Sequence, residues 1–207
     1  MLSIILIYSL YEVGYIYNDT ETIKTEKKPT IRLTENQLDF YEKNKTIIYS
    51  SRIIVSILIS FLLVIITPEN ILPFLFSTWM LLIVYYFYNT TRSLYNLPLH
   101  FILVSIRYAS VSIIFGQSYL VLFYLILLFP VINLLERTTE SRFNISNIIN
   151  KPFKNKTIGR IFYYAILSLF SIFLFLTNQS SIDYIFMIIS LYYFIYRTSL
   201  FLLRVKA

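Results

Sequence analysis

The chain of 207 residues contains no cysteine, three glycines and a single histidine. Without cysteine it cannot form a disulfide framework, a thiolate metal site or a cysteine nucleophile. So few glycines leave little room for a glycine-rich phosphate loop. Charged residues are also scarce, at 14% of the chain against about 25% in soluble domains. Together with a hydrophobic fraction of 57%, these absences indicate a multi-spanning membrane protein.

Long apolar stretches are what the sequence has in abundance. A helix needs about 20 mostly apolar residues to cross the hydrocarbon core of a bilayer. Seven stretches are candidates: 2–17, 47–67, 71–88, 97–115, 119–135, 158–176 and 182–203. The first spans only if its helix continues into the polar residues after it. None alternates with a period of two, so we predict an all-α transmembrane helical bundle of about seven spans, with 1–207 as one integral membrane domain.

The basic residues predict the orientation of these spans. With seven spans, every lysine and arginine except Arg107 falls on one side of the membrane. Because positively charged loops stay in the cytoplasm, we expect the polar loops 18–46 and 136–157 to face it, in an integral multi-pass protein of the (bacterial inner) cell membrane. This topology, anionic lipids and phosphorylated substrates explain the net charge of +7 better than nucleic acid does, since no soluble basic domain is present.

The segment 18–33 carries a dense mixture of acids and bases directly after an apolar run. If the first helix continues as far as Glu26, then Asp19, Thr22 and Glu26 share one of its faces. Basic residues follow at once, at Lys27, Lys28 and Arg32. Carboxylates beside cations at the edge of the hydrocarbon suit the binding of a metal ion and a phosphorylated ligand.

A second group of acids opens the segment 136–157. Glu136 and Glu140 are four residues apart, so a continued helix places them on one face, next to Arg137. Both acidic segments follow a span on the predicted cytoplasmic side, and we expect them to form opposite walls of one site. The basic stretch 151–156 is interpreted as an ordinary anchor at the cytoplasmic interface.

Few ionisable residues lie inside the predicted spans. Arg107 is in the middle of the fourth span, His100 lies seven residues earlier on the same face, and Glu12 is in the first span. Such groups are costly at membrane depth and usually face a polar cavity. Alternatively, Glu12 pairs with Arg107 or with a tyrosine and only holds helices together, and His100 is an interfacial residue. Asp183 and Glu69 are expected to be helix caps or solvated charges.

The residues Asn18-Asp19 through Glu26, followed by Lys28, Pro29 and Arg32, resemble the first aspartate-rich motif of the UbiA prenyltransferase superfamily. Three further segments resemble its polyprenyl-phosphate phosphoribosyltransferase branch: residues 88–99 with Arg92, residues 106–108 followed by Gly116, and residues 135–140. The resemblance covers residues 10–145. Thr22 and Glu26 stand where the family usually has aspartates, and Glu136 where it usually has a lysine. Because the family typically has nine spans, one of them before the motif, the resemblance implies a short or divergent member.

The resemblance implies a UbiA-like membrane transferase that works with Mg²⁺. Asp19 and Glu26 would be its catalytic residues, and Asp19, Glu26 and Glu140 would hold the metal against a diphosphate. The donor would be a phosphoribosyl or prenyl diphosphate, and the acceptor a long-chain lipid in an apolar groove between spans. The residues implied to bind substrate are Asn18, Lys28, Arg32, Arg92, Arg107 and Arg137.

Two other functions remain open from the sequence. A catalytically inactive UbiA-like scaffold or partner in lipid-linked glycan synthesis would keep the fold without turnover. A small membrane transporter would favour helices broken by glycine or proline at paired positions. The prolines available for that role, at 68, 73, 98 and 130, lie mostly near the ends of predicted spans.

Overall fold

The computed structural model describes residues 1–25, 31–67, 69–91, 93–143, 145 and 153–206. All regular secondary structure in this described part is helical, which confirms the predicted all-α class. The chain forms two compact units, an N-terminal unit of Met1–Ser118 and a C-terminal unit of Tyr119–Ala207.

The helices of the N-terminal unit are α1 (Leu2–Thr20), a short 3₁₀ turn (Thr22–Lys24), α2 (Glu35–Ile66), α3 (Ile71–Thr90) and α4 (Asn96–Ile114). The C-terminal unit has α5 (Tyr119–Ile126), a π-helical segment (Leu127–Val131), α6 (Ile132–Arg137), a 3₁₀ turn (Ser141–Phe143), α7 (Lys156–Asn178) and α8 (Ser181–Lys206).

Six stretches of helix are long and apolar enough to cross a membrane: α2, α3, α4, the continuous stretch Tyr119–Arg137, α7 and α8. They match six of the seven predicted spans. The remaining helix, α1, has 19 residues and a length of about 28 Å, but it carries Glu12, Asn18 and Asp19. The structure therefore shows six candidate spans within the described residues.

The outward surface of these helices is apolar. On α2, large side chains at Ile54, Leu58, Phe61 and Ile65 follow the helical repeat and are all more than half exposed. A continuous apolar stripe of this kind is costly in water and is the normal surface of a helix in lipid. The structure is therefore that of a multi-pass membrane protein.

Helix α2 begins earlier than the sequence predicts. Thr34 caps it by accepting a hydrogen bond from the Gln37 backbone N–H, and the Gln37 side chain accepts one in return from the Thr34 backbone. This capping box starts a helix before the apolar run at residue 47, because capping does not require apolar residues. The predicted loop 18–46 is therefore helical at both ends.

Helix α1 lies at the centre of the N-terminal unit. Leu6, Ile7 and Leu10 are almost completely buried against neighbouring helices. At Gly14 a Cβ atom would lie 2.3 Å from the Tyr85 ring of α3, a distance at which atoms overlap. Asn89, one turn further along α3, donates a hydrogen bond to the Gly14 carbonyl at 3.2 Å. Glycine is thus required for the contact between α1 and α3.

In the C-terminal unit, α7 and α8 form an antiparallel hairpin. The hydroxyl groups of Ser171 and Ser190 hydrogen bond at 2.7 Å, and the rings of Tyr164 and Tyr193 stack with their centroids 5.2 Å apart. Small hydroxyl residues let two helices approach closely in lipid, where water-driven association is absent. The open end of this hairpin contains the first turns of α7 and the last turns of α8.

A proline interrupts the span Tyr119–Arg137. Pro130 has no N–H, and the helix widens into a π segment around it. Side chains of α7 supply hydrogen bonds to the backbone there: Tyr163 donates to the Leu127 carbonyl, and Tyr164 to the Leu128 carbonyl at 2.9 Å. Because lipid offers no donors, these tyrosines stabilise the widened turn.

Candidate functional site

The end of α1 brings three of the predicted site residues together. Asp19 accepts a hydrogen bond from the Asn18 side-chain amide at 3.0 Å, and it forms an ion pair with Arg32 at 3.3 Å. The Asp19 side chain is 22% exposed and the Arg32 side chain 60%. A ligand can therefore reach both the carboxylate and the guanidinium.

The predicted face of Asp19, Thr22 and Glu26 required the first helix to continue as far as Glu26, and the helix ends before Thr22. The α-helix ends at Thr20, and a 3₁₀ turn over Thr22–Lys24 follows it, with about three residues per turn instead of 3.6. Thr22 is buried, and its hydroxyl donates to the Tyr17 carbonyl at 3.4 Å. Three of the predicted residues, Glu26, Lys28 and Arg92, lie outside the described residues.

Glu21, one residue past α1, is the acid with the most partners at this end of the unit. It accepts hydrogen bonds from Lys45, from the Tyr41 hydroxyl at 2.6 Å and from Lys24 at 3.1 Å. The bonds from Lys45 and Tyr41 lower the pKa of Glu21 to about 2. Lys24 also pairs with Glu42, and its pKa is raised by Glu42 first and Glu21 second.

Glu21 lies within the segment 18–33 but is not among the site residues named from the sequence. In the structure this carboxylate joins α1 to the polar first turns of α2. Tyr41 and Lys45 are four residues apart on a capped helix, which places them on one face. This four-residue spacing could have indicated the partners of Glu21 from the sequence. It is informative, however, only if α2 is known to begin at Glu35.

Arg107 is held by aromatic rings. Its guanidinium donates to the Tyr8 hydroxyl at 2.8 Å and lies 4.9 Å and 5.3 Å from the ring centroids of Tyr8 and Tyr11. Such cation–π contacts stabilise a cation without neutralising it. The alternative of a Glu12–Arg107 pair is wrong, because Glu12 pairs with Arg52 at 3.3 Å. Among the described residues Arg107 has no carboxylate partner.

An apolar groove of about 470 Å³ lies between α1 and α2, and we call it the α1–α2 groove. One end is lined by Ile4, Ile5 and Val55, and the other contains the Glu12–Arg52 ion pair. Tyr8 contributes to the groove wall and also accepts the hydrogen bond from Arg107. A groove that is apolar at one end and charged at the other fits an amphiphilic ligand.

The acids of the segment 136–157 do not share a face as predicted. Helix α6 ends at Arg137, so Glu140 lies beyond it. Glu136 is 7% exposed and accepts two hydrogen bonds from Arg160, one of them at 2.7 Å. Arg137 instead pairs with Glu140 at 3.3 Å. The predicted pairing of this segment with Asp19 stays a prediction.

The structure also describes three further ionisable residues that were named from the sequence. Asp183, predicted to be a helix cap or a solvated charge, is a buried residue in the first turn of α8: its backbone N–H donates to the Ser180 hydroxyl at 3.1 Å, which makes Ser180 the capping side chain, and its carboxylate accepts from Ser180 and from Tyr124. His100 is half-buried, with its ring 6.0 Å from that of Tyr88. Glu69 is exposed.

The carboxylates that the structure describes do not form a metal site by themselves. Within the part of the chain that the structure describes, no three histidine, aspartate or glutamate residues are close enough to hold a metal ion. Asp19 offers one carboxylate, already paired with Arg32. A magnesium ion brought in by a diphosphate needs only one or two protein carboxylates, so Asp19 suits a metal that arrives with its substrate rather than one that resides in the protein.

Searches among protein-family models, curated proteins and solved structures give no match to this chain.

Proposed function

We propose that the chain is a membrane-embedded UbiA-like transferase that moves a diphosphate-activated group, phosphoribosyl or prenyl, to a lipid or prenyl acceptor with Mg²⁺. The arrangement of α1 is the observation that carries this proposal. One helix lines the α1–α2 groove with Ile4, Ile5 and Glu12, and its last turn presents Asp19 beside Arg32. Glu12 and Asp19 are seven residues apart, about 10 Å along the helix.

The α1–α2 groove holds the long hydrocarbon chain of the acceptor. Its apolar end accepts hydrocarbon, and its charged end leads towards the polar residues after Thr20. A lipid acceptor lying along α1 therefore has its reactive head near Asp19. Arg107, which donates to the Tyr8 hydroxyl at the groove wall, has no carboxylate partner among the described residues and is available to a substrate phosphate.

The residues around Asp19 suit a diphosphate leaving group. In the transfer, the C1–O bond of the donor breaks and its electron pair leaves with the diphosphate. The acceptor forms the new bond to C1 and releases its proton to water. Arg32 stabilises the charge that develops on the diphosphate, and Asn18 can donate a hydrogen bond to it. Once Arg32 turns to the diphosphate, the Asp19 carboxylate is available to the accompanying magnesium ion.

The proposal includes predicted residues beyond this cluster. Glu26 is the second catalytic and metal-binding carboxylate, Lys28 and Arg92 contact phosphate oxygens, and Arg137 and Glu140 complete the site. It also includes α1 as a seventh span, a UbiA-like arrangement of the spans and a cytoplasmic position for the polar loops.

An assay of purified protein in lipid nanodiscs tests the proposal. We expect labelled phosphoribosyl diphosphate or a labelled polyprenyl diphosphate to give a lipid-extractable product that a chelator abolishes. Asp19→Asn should lose this activity, whereas Glu69→Gln, which changes an exposed acid far along the sequence, should keep it. If the folded wild-type protein makes no product from either donor, the transferase proposal is overturned.

The scaffold alternative is favoured by one observation. Glu21 and Glu136, two of the acids in the polar segments, are engaged by cations and act as structural ties. A scaffold predicts no turnover together with co-purification of another membrane protein. A transporter is favoured by the π segment at Pro130, a break inside a spanning helix, and predicts flux of a labelled solute into proteoliposomes.

A further inference from the structure

The open end of the α7–α8 hairpin contains a small cavity with basic walls. It has a volume of about 190 Å³, and we call it the basic cavity. Its lining residues are Lys156, Thr157, Arg160, Arg197, Leu200 and Arg204. The cations on each helix are one or two turns apart, so both helices turn a basic face towards the same space.

Most of this positive charge has no carboxylate partner within the described residues. Arg160 is neutralised by Glu136. Within the described residues, the other three cations, Lys156, Arg197 and Arg204, form no ion pair with a carboxylate. The Nε atom of Arg197 is buried and has no hydrogen-bond partner. Cations that line one space repel one another, and an anion bound among them removes that repulsion.

The size of the basic cavity suits a small anionic group such as a phosphate. Pockets that enclose whole drug-sized ligands measure about 300–1,000 Å³, and this one is smaller. Donors for a phosphate are present on both sides. Arginine guanidinium groups bind phosphate oxygens through paired N–H donors, and the Thr157 hydroxyl lines the same space. Because the cavity lies at the start of α7, the positive end of the helix dipole adds to the attraction.

Apolar surface beside the basic cavity identifies the source of the phosphate. Leu202 and Leu203 on α8, and Ile158 and Phe162 on α7, are all about half exposed or more. They belong to helices apolar enough to cross a membrane, and the cations lie at the ends of those helices. A phospholipid has the complementary arrangement, with a phosphate next to its acyl chains. We propose that the basic cavity binds the headgroup phosphate of an anionic phospholipid.

Native mass spectrometry of the full chain, released from nanodiscs that contain equal amounts of phosphatidylglycerol and phosphatidylcholine, tests this proposal. We expect the wild-type protein to retain phosphatidylglycerol in preference. Arg197→Gln and Arg204→Gln should each weaken retention about fivefold, and the double variant more than either, because each basic residue near an anionic surface contributes comparably. Lys154→Gln is the matched control, since Lys154 is an exposed cation of the same unit outside the cavity, and it should change retention less than twofold.

A second variant separates loss of binding from loss of folding. The pair Arg197→Lys and Arg204→Lys keeps the charge and should restore most of the phosphatidylglycerol retention. Inorganic phosphate added to phosphatidylcholine nanodiscs distinguishes the source: phosphate that stabilises the protein more strongly than phosphatidylglycerol does would identify a soluble ligand and overturn the proposal. Equal retention by wild type and the glutamine double variant, or an equal loss in Lys154→Gln, would also overturn it. None of these residues belongs to the proposed transferase site, so the two proposals stand or fall separately.

Discussion

The two units of this protein contain the same number of basic residues and very different numbers of acidic ones. Residues 1–118 have nine basic and eight acidic residues, whereas residues 119–207 have nine basic and three acidic residues. The N-terminal unit pairs its charges internally: Asp19 with Arg32, Glu12 with Arg52, and Glu21 with Lys24 and Lys45. The C-terminal unit has too few acids to do this.

The difference shows that equal positive charge can serve two purposes. In the N-terminal unit the ion pairs join α1 to the start of α2 and to Arg32, and so fix the polar end of the α1–α2 groove. In the C-terminal unit Glu136 holds Arg160, and the remaining cations around the basic cavity depend on an anion from outside the chain. Four variants test this contrast.

Loss of the buried ion pair in the C-terminal unit should have the largest effect. Glu136→Gln leaves the Arg160 guanidinium against a buried neutral amide, and we expect a loss of about 3 kcal/mol of unfolding free energy. Thermal unfolding in detergent, followed by the loss of the monodisperse peak, measures it. Glu140→Gln is the control, because the Glu140 side chain is 39% exposed and should cost less than 1 kcal/mol. Equal losses in both variants would contradict the assignment.

Packing rather than charge should set the next largest effect, in the N-terminal unit. Gly14→Ala places a methyl group against the Tyr85 ring, and we expect a loss of about 2 kcal/mol in the same unfolding measurement. The double variant with Tyr85→Ala removes the overlap. Its loss should be smaller than the sum of the two single losses, and strict additivity would show that α1 and α3 do not touch at this point.

A smaller effect is expected at the π segment of the C-terminal unit. Tyr164→Phe removes the hydrogen bond to the Leu128 carbonyl and should cost about 1 kcal/mol. In a Pro130→Ala background the helix can close its own backbone hydrogen bonds, so the same change should cost less. A double-mutant cycle measured by unfolding gives the coupling. Zero coupling would mean that the tyrosine and the proline act independently.

The smallest effect is a pH dependence carried by Glu21. Because the pKa of this carboxyl is lowered from 4.5 to about 2, its stabilising effect is complete above about pH 4.5 and is lost as the pH falls through 2. Most of its partners are exposed, so the change is modest. Unfolding temperatures between pH 6 and pH 3 should fall more steeply in wild type than in Glu21→Gln. Parallel curves would rule out the ion-pair network.

The sequence predicts the helices well because apolar runs of this length have few other folds. The predicted stretch 71–88 matches α3 (Ile71–Thr90), and 97–115 matches α4 (Asn96–Ile114). Charge placement was harder to predict, because it depends on which helices touch. Two of the three described partners of Glu21, Tyr41 and Lys45, lie 20 and 24 residues away, and the Tyr8 partner of Arg107 is 99 residues away. No local pattern encodes contacts at those separations.

The candidate sites, too, could be predicted only where their residues are close in the sequence. Asn18, Asp19 and Arg32 were predicted together because they are close in sequence, and they lie together in the structure. The basic cavity was missed because Lys156 was interpreted as part of an ordinary interfacial anchor, while Arg197 and Arg204 follow it by more than 40 residues. Only the antiparallel packing of α7 on α8 brings these cations to one place.

The widened turn at Pro130 also has a consequence for biogenesis. The carbonyl groups of Leu127 and Leu128 receive hydrogen bonds from Tyr163 and Tyr164, which the ribosome adds more than 30 residues later. When the span Tyr119–Arg137 first enters the membrane, these two tyrosine donors do not yet exist. Because these hydrogen bonds add to the stability of the widened turn, we expect the turn to reach its full stability only once α7 has been inserted. Assembly of this span is then coupled to the insertion of a helix that is made after it.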